Sequence, residues 1–165
     1  MKKASLGRFF VCVNDVFLAF KVSPMNYYFK LIPNDNLDQI IPLVYELNDA
    51  KVSKALLRSR FKDMQHQNYK CAGIFIDNAL VGITGLWFST RHYIGKSVEL
   101  DHVYIVPEHR GNGLGKRFMA WIYKYAKECG CDSVELNTYV QNYPSHKFYY
   151  NEGFQMLGYH FFKKL

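Results

Sequence analysis

Residues 103–116 read Val-Tyr-Ile-Val-Pro-Glu-His-Arg-Gly-Asn-Gly-Leu-Gly-Lys, a hydrophobic run that ends at Pro107 and enters a glycine-rich turn from Arg110 to Gly115. An amphipathic helix pattern follows. Glycines let a backbone approach a ligand closely, free N–H groups at a helix start point outward, and the helix dipole favours an anion there. Arg110 and Lys116 add positive charge beside the turn. The chemistry on offer is phosphate binding. Two nucleotide patterns fail on spacing. Arg117 stands where a Walker loop needs Ser or Thr after its Lys, and Gly111-x-Gly113-x-Gly115 has the wrong last interval for a dinucleotide turn.

Arg110-Gly111-Asn112-Gly113-Leu114-Gly115 resembles the R/Q-x-x-G-x-G/A pyrophosphate loop of the GNAT superfamily of acyl-CoA-dependent N-acetyltransferases. A second segment agrees: Asn142, then Phe148-Tyr149, then Gly153-Phe154, is similar to the family's Asn…(L/F)-Tyr-x-x-x-Gly-Phe stretch. The resemblance covers Met25 to Leu165, all but the first 24 residues. It implies an enzyme that moves an acetyl group from acetyl-CoA, as co-substrate, to a primary amine of a small molecule or protein by direct attack in a ternary complex. Arg110 to Gly115 and Lys116 would hold the CoA phosphates. Backbone groups beside Val103, Tyr104 and Ile105 would hold the pantetheine arm and polarise the thioester carbonyl, and Asn142 would hydrogen-bond the arm. Tyr149 would return a proton to the leaving thiolate. The alternative implied by the same fold is a CoA-binding regulatory or interaction module without turnover. Two departures stand out. Tyr150-Asn151-Glu152 occupy positions where a basic residue often follows the tyrosine, and the chain after Gly153 is too short for a long hairpin over the acceptor, leaving one wall of that cleft open.

An alkyl ammonium has a pKa near ~10.4 and must lose a proton before it attacks a thioester. Glu99, Asp101 and His102, on the strand before the glycine turn, are the candidate acceptors. Glu99 and Asp101 share one strand face, with His102 on the other unless a bulge intervenes. Asp101 is the first choice, because related polyamine acetyltransferases carry an acid at the equivalent distance before the Arg-Gly turn; Glu99 follows, then His102. Asp49, Asp63, Glu99 and Asp101 together offer a locally acidic cleft.

The elements that position these groups are legible in the hydrophobic periods. Tyr27–Ile32 reads as a strand ended by Pro33, and Leu37, Ile40, Ile41, Val44 and Leu47 recur at helical spacing. Ser53 caps a second helix bearing Leu57, Phe61 and Met64. Residues 70–76 and 80–89 form a hairpin about Asp77-Asn78, and a strand at 98–106 follows the Arg91–Lys96 connection. Leu114, Phe118, Trp121, Ile122, Tyr125 and Cys129 make one helix stripe ended by Gly130. Ser133–Val140 is a strand, Pro144 opens a short helix and 155–164 closes with a strand. The expected class is α/β (α+β), a GNAT-like, mostly antiparallel sheet flanked by helices in the order β-α-α-β-β-β-α-β-α-β.

At 165 residues and 49% hydrophobic the chain suits one ordinary domain, which excludes a disordered or collagen-like protein. The formal charge of +7 is unevenly spread, with +3 on residues 1–24 and +4 on residues 107–127. That concentration suits a local anion site, and no nucleic-acid recognition signature accompanies it. Four cysteines (Cys12, Cys71, Cys129, Cys131) form neither a disulfide framework nor a zinc spacing, so no metal is expected and a reducing cytoplasm is. Residues 1–24 are read as an appendage, an extra strand or helix or the lead-in to a start at Met25. Their apolar run is broken by Asn14-Asp15, which argues against a signal or a membrane span. The resemblance implies an amine acceptor and is compatible with a homodimer, while the composition points to neither a nucleic acid nor a membrane.

Overall fold

The computed structural model describes residues 10–13, 16–19 and 26–165. Strands β1 (Phe10–Val13) and β2 (Val16–Ala19) pair antiparallel as a sheet of their own; the rest of the first 24 residues lies outside the described residues. The main sheet contains β3 (Tyr27–Ile32), β4 (Tyr69–Ile76), β5 (Ala79–Arg91), β6 (Gly95–Ile105) and β7 (Ser133–Leu136), side by side in that order. All neighbours are antiparallel except β6 and β7, which run parallel.

After Pro33, a 3₁₀ turn over Asn34–Ile40 feeds α1 (Ile41–Leu47), where Pro42 is tolerated in the first turn because no helical acceptor is needed there. Helix α2 (Lys54–Met64) starts at Ser53, whose hydroxyl accepts the Leu56 N–H at 3.2 Å, the cap expected from sequence. The 3₁₀ turn and these two helices cover one sheet face through Leu37, Ile41, Val44, Leu57 and Phe61. Helix α3 (Leu114–Glu128) covers the other through Leu114, Phe118, Met119, Ile122 and Ala126. Trp121 and Tyr125 stay half-buried at the edge of that stripe, stacked on each other at 5.6 Å. Asp77 and Asn78, both at positive φ, form the tight β4–β5 turn that the right-handed strand twist favours.

Two expectations fail. The strand at 133–140 ends at Leu136, because from Asn137 onward the chain has left the side of β6. Residues 155–164 form no strand and leave their apolar side chains exposed.

The break in β6 positions the site. Ile83 lies opposite Tyr104 and Gly85 opposite Asp101, so two steps along β5 match three along β6. The extra residue is a bulge, with His102 at φ +37°. It turns His102 onto the same face as Asp101, against Tyr69 and Phe61. Gly85 makes room for that ring: a Cβ there would collide with the His102 imidazole and stand 2.8 Å from the Tyr69 ring. Gly85→Ala is expected to destabilise the protein by about 1–3 kcal/mol, read as a lower Tm. An unchanged Tm would show that the rings are not held as described.

Candidate active site

Beyond Leu100 and Leu136 the parallel strands part, since pairing covers only Ser97–Leu100 against Ser133–Leu136. Alternate backbone N–H and C=O groups of residues 101–105 are therefore left facing a gap rather than a strand, which includes the Val103–Ile105 stretch singled out from sequence. At the end of the gap Pro107 stops β6 and the turn opens. Gly111 and Gly113 lie at φ +77° and +79°, a conformation that side chains disfavour, and a Cβ on either would meet nothing within 4 Å. Space lies over the backbone there. Asn112 accepts the Leu114 N–H at 3.1 Å, whereas the N–H groups of Asn112, Gly113, Gly115 and Lys116 find no acceptor among the described residues. Those donors lie at the start of a 15-residue helix, where the helix dipole favours an anion.

Arg110 is held in place by this frame. Its Nε donates to the Ile105 carbonyl at 2.6 Å, and its guanidinium lies 5.1 Å from the centre of the Tyr104 ring. The Tyr104 hydroxyl in turn donates to Glu46 of α1 at 3.0 Å. Lys116 is exposed on the first turn of α3. Across the gap, α4 (Tyr143–Asn151) approaches the same turn: a Cβ on Gly115 would lie 3.4 Å from the Phe148 ring and 3.7 Å from Ile105. Asn142 caps α4 by accepting the Ser145 N–H at 3.4 Å, which leaves its Nδ2 as a spare donor. Tyr149 is half-buried between Phe148 and Phe154, and burial pushes its phenol up to about 12. It is protonated at any working pH.

Asp101 and Glu99 line one pocket of about 490 Å³ with Trp87, Ser89, Arg91 and Asn137. Asp49 and Asp63 are not part of it; Asp49 pairs with Lys51 at the exposed end of α1. The two carboxylates differ. Glu99 is bonded to Arg91 at 3.1 Å and accepts from Asn137, while Arg91 also bridges to Glu135 of β7. Glu99 therefore ties β6 to β7 where the gap begins. Asp101 is half-exposed to the pocket and meets the His102 Nδ1 at 3.3 Å, the His102 backbone N–H at 2.8 Å and the Trp87 indole N–H at 3.3 Å. Burial works to raise its pKa, but His102, by hydrogen bond and charge, and Trp87 outweigh it and hold the carboxyl at about 2. Behind it the His102 Nε2 meets the Tyr69 hydroxyl at 3.0 Å, and burial raises that phenol far above its ordinary value.

A carboxyl held low contributes stability above its ordinary pKa of ~3.9 and loses it as pH falls toward the folded value. The Tm difference between wild type and Asp101→Asn should thus be full at pH 6 and shrink below pH ~4. An equal gap at pH 3 and pH 6 would contradict the His102 contact.

Sequence reasoning did not single out Trp87, Asn137 or Tyr69 for this site, and reached Arg91 only as the start of the connection to Lys96. Their one signal is alternation: Trp87, Ser89 and Arg91 form the more polar face of β5. A larger groove of about 760 Å³, lined by Lys70, Lys96, Phe88 and Asn34, contains none of the groups above except Tyr69 and Ser89. No helix among the described residues is long and apolar enough to cross a membrane.

Known proteins share this fold. The aminoalkylphosphonate N-acetyltransferase of Salmonella typhimurium is 23% identical over 133 residues, 79% of this chain and 86% of that one. The bovine (Bos taurus) thialysine N-epsilon-acetyltransferase is 30% identical over 57 residues, 34% of each chain. Among solved structures, a ribosomal-protein-alanine N-acetyltransferase from Brucella melitensis superposes with TM-score 0.72 at 18% identity, over 84% of this chain and 99% of that one. An aminoglycoside N-acetyltransferase in complex with CoA also gives 0.72 at 17% identity, over 87% and 97%. Residues 37–154, from the 3₁₀ turn through the glycine turn to the end of α4, match the Acetyltransferase (GNAT) family, and the chain belongs to it.

Proposed function

We propose that the protein is an N-acetyltransferase that brings acetyl-CoA and a primary amine together in one complex. The observation that carries this reading is the parting of β6 and β7 between two prepared ends, the N–H cradle at Gly111–Lys116 and the Asp101 pocket. The cradle suits a pyrophosphate: open backbone, unpaired donors, and Arg110 and Lys116 beside it. The gap-facing backbone groups within Val103–Ile105, other than the Ile105 carbonyl that accepts from Arg110, hold an extended arm in the gap, with the Asn142 amide as a further donor. Bound there, acetyl-CoA supplies an acetyl group activated as a thioester.

Asp101 faces the amine. At about 2 its carboxyl is too weak a base to strip a free ammonium near ~10.4, so a cationic acceptor gives its first proton to solvent and attacks as the neutral amine. Asp101 takes the next proton as the new C–N bond makes the amine acidic, and His102 shares the charge behind it. Glu99 orients the pocket wall through Arg91 and Asn137 rather than taking the proton. Tyr149 faces the departing sulfur as a hydrogen-bond donor. Glu99 and Asp101 against Arg91, the one cation in the lining, leave the pocket negative on a chain of net charge +7, which favours a cationic acceptor. The similar proteins named above act, by their names, on amines of several kinds. The thiols of Cys71, Cys129 and Cys131 are free, in keeping with a cytoplasmic enzyme.

Titration with acetyl-CoA, then thiol release with a panel of alkyl, amino-sugar and peptide amines, tests the reading. Saturable binding and amine-dependent release are expected. Absence of binding overturns the proposal, and binding without release on any amine favours a CoA-binding module.

A further inference from the structure

Thr84 of β5 has no exposed surface, and its surroundings suit an apolar side chain. It lies opposite Ala72 and shares a strand face with Leu86, both in the cluster beneath α3. Val has nearly the same shape, suits a strand as well and brings no polar group that a core must satisfy. The reason for a hydroxyl therefore lies in its partners. Thr84 Oγ1 stands 3.1 Å from two carbonyl oxygens, those of Gly85 and Asp101. The bond to the neighbouring Gly85 is local and joins nothing across the sheet. The bond to Asp101 crosses from β5 to β6 where the bulge begins.

Asp101 depends on that bulge. Three groups meet its carboxylate, and two of them belong to His102: the backbone N–H at 2.8 Å and Nδ1 at 3.3 Å, beside the Trp87 indole N–H at 3.3 Å. Regular pairing would send the side chains of residues 101 and 102 to opposite faces and take the imidazole away from the carboxylate. The conformation that prevents this, φ +37° at His102, is one that a residue with a Cβ adopts only where its surroundings hold it. They hold it from both faces of the sheet. On the face of α1 and α2, the missing side chain of Gly85 leaves room for the ring. On the face of α3, Thr84 ties down the Asp101 carbonyl. We propose that Thr84 is a positioning residue for the transfer reaction, its hydroxyl fastening the β6 bulge so that Asp101 and His102 stand together in the pocket. The role rests on Asp101 being the proton acceptor. Thr84 itself does not line the pocket and touches neither substrate.

Thr84→Val should lower kcat about tenfold and leave KM for acetyl-CoA and for the amine within about twofold, since displacing a reacting group costs rate rather than binding. Thr84→Ser and Thr84→Ala separate the hydroxyl from the methyl group, because both are small and only Ser can still donate. The Ser variant should stay within about threefold of wild type and the Ala variant should fall about tenfold or more. That pair decides the matter if Thr84→Val does not fold by circular dichroism. Asp101→Asn leaves no acceptor to position, so adding Thr84→Val or Thr84→Ala to it should cost less than about twofold more. A loss in that background as large as in wild type would make Thr84 a support of the fold at large and overturn the proposal. Equal rates for the Ser and Ala variants, or a Thr84→Val enzyme with wild-type kcat, would do the same. If Asp101→Asn itself keeps the wild-type kcat, the assignment of Asp101 falls first and the role of Thr84 falls with it.

Discussion

Asp101→Asn is expected to lower kcat by about 10²–10³-fold while leaving acetyl-CoA affinity within about twofold. The amide keeps the shape of the side chain and its contact with the Trp87 indole, but it can neither accept a proton nor offer a carboxylate to the His102 Nδ1. Acyl-CoA binding is assigned to the glycine turn and the gap beyond Leu100, so affinity should be spared. With the carboxyl at about 2, the wild-type pH–rate profile should show no inflection in the ordinary carboxylate range near ~4. Asp101 and His102 act as a unit, so adding His102→Gln to Asp101→Asn should cost less than about threefold more, the non-additivity expected of coupled groups. Glu99→Gln should behave differently, because its carboxylate is already bonded to Arg91 and Asn137. Its effect should fall mainly on the KM for the amine. A loss of kcat from Glu99→Gln as large as from Asp101→Asn would transfer the base to Glu99.

Tyr149→Phe is the second large effect, a fall in kcat of about 10–100-fold with acetyl-CoA affinity nearly unchanged. The size follows from the phenol itself. Burial sets it at about 12, well above a thiol at ~8.5, so complete proton transfer to a thiolate is uphill. In the proposed reaction the hydroxyl would therefore help as a hydrogen-bond donor to the charge that builds on sulfur, which is worth less than a full proton transfer. The ring is retained in Phe, so its contacts with Phe148 and Phe154 persist and the fold should be undisturbed. Single-turnover rates and equilibrium titration separate the two quantities. An unchanged rate would remove Tyr149 from the reaction.

The glycine turn was readable in the sequence because spacing alone forces it: Gly111 and Gly113 occupy backbone conformations that other residues avoid. The β4–β5–β6 meander and the helix patterns were readable for a similar reason, since burial on one face imposes a period on the residues. The β6 bulge was not. One extra residue at His102 leaves no compositional mark, yet it decides whether the imidazole stands behind Asp101 or on the opposite face. The pocket wall was also hidden, because Trp87, Arg91 and Asn137 acquire meaning only when β5, β6 and β7 lie side by side. Thr138–Val140 and residues 155–164 carry strand-like composition, but composition cannot supply the neighbouring strand that turns propensity into structure. Excess charge near Arg110 marked the turn whose N–H groups lack acceptors, while the chain's overall +7 gave no sign of the pocket lined by Glu99 and Asp101.

Direct transfer between two substrates held together is tested by a grid of initial rates, with acetyl-CoA and the best amine of the panel both varied and CoA thiol release followed. Lines that intersect in double-reciprocal form are predicted, with the acetylated amine appearing in equal amount to free CoA. Parallel lines, or thiol release independent of the amine, would contradict it.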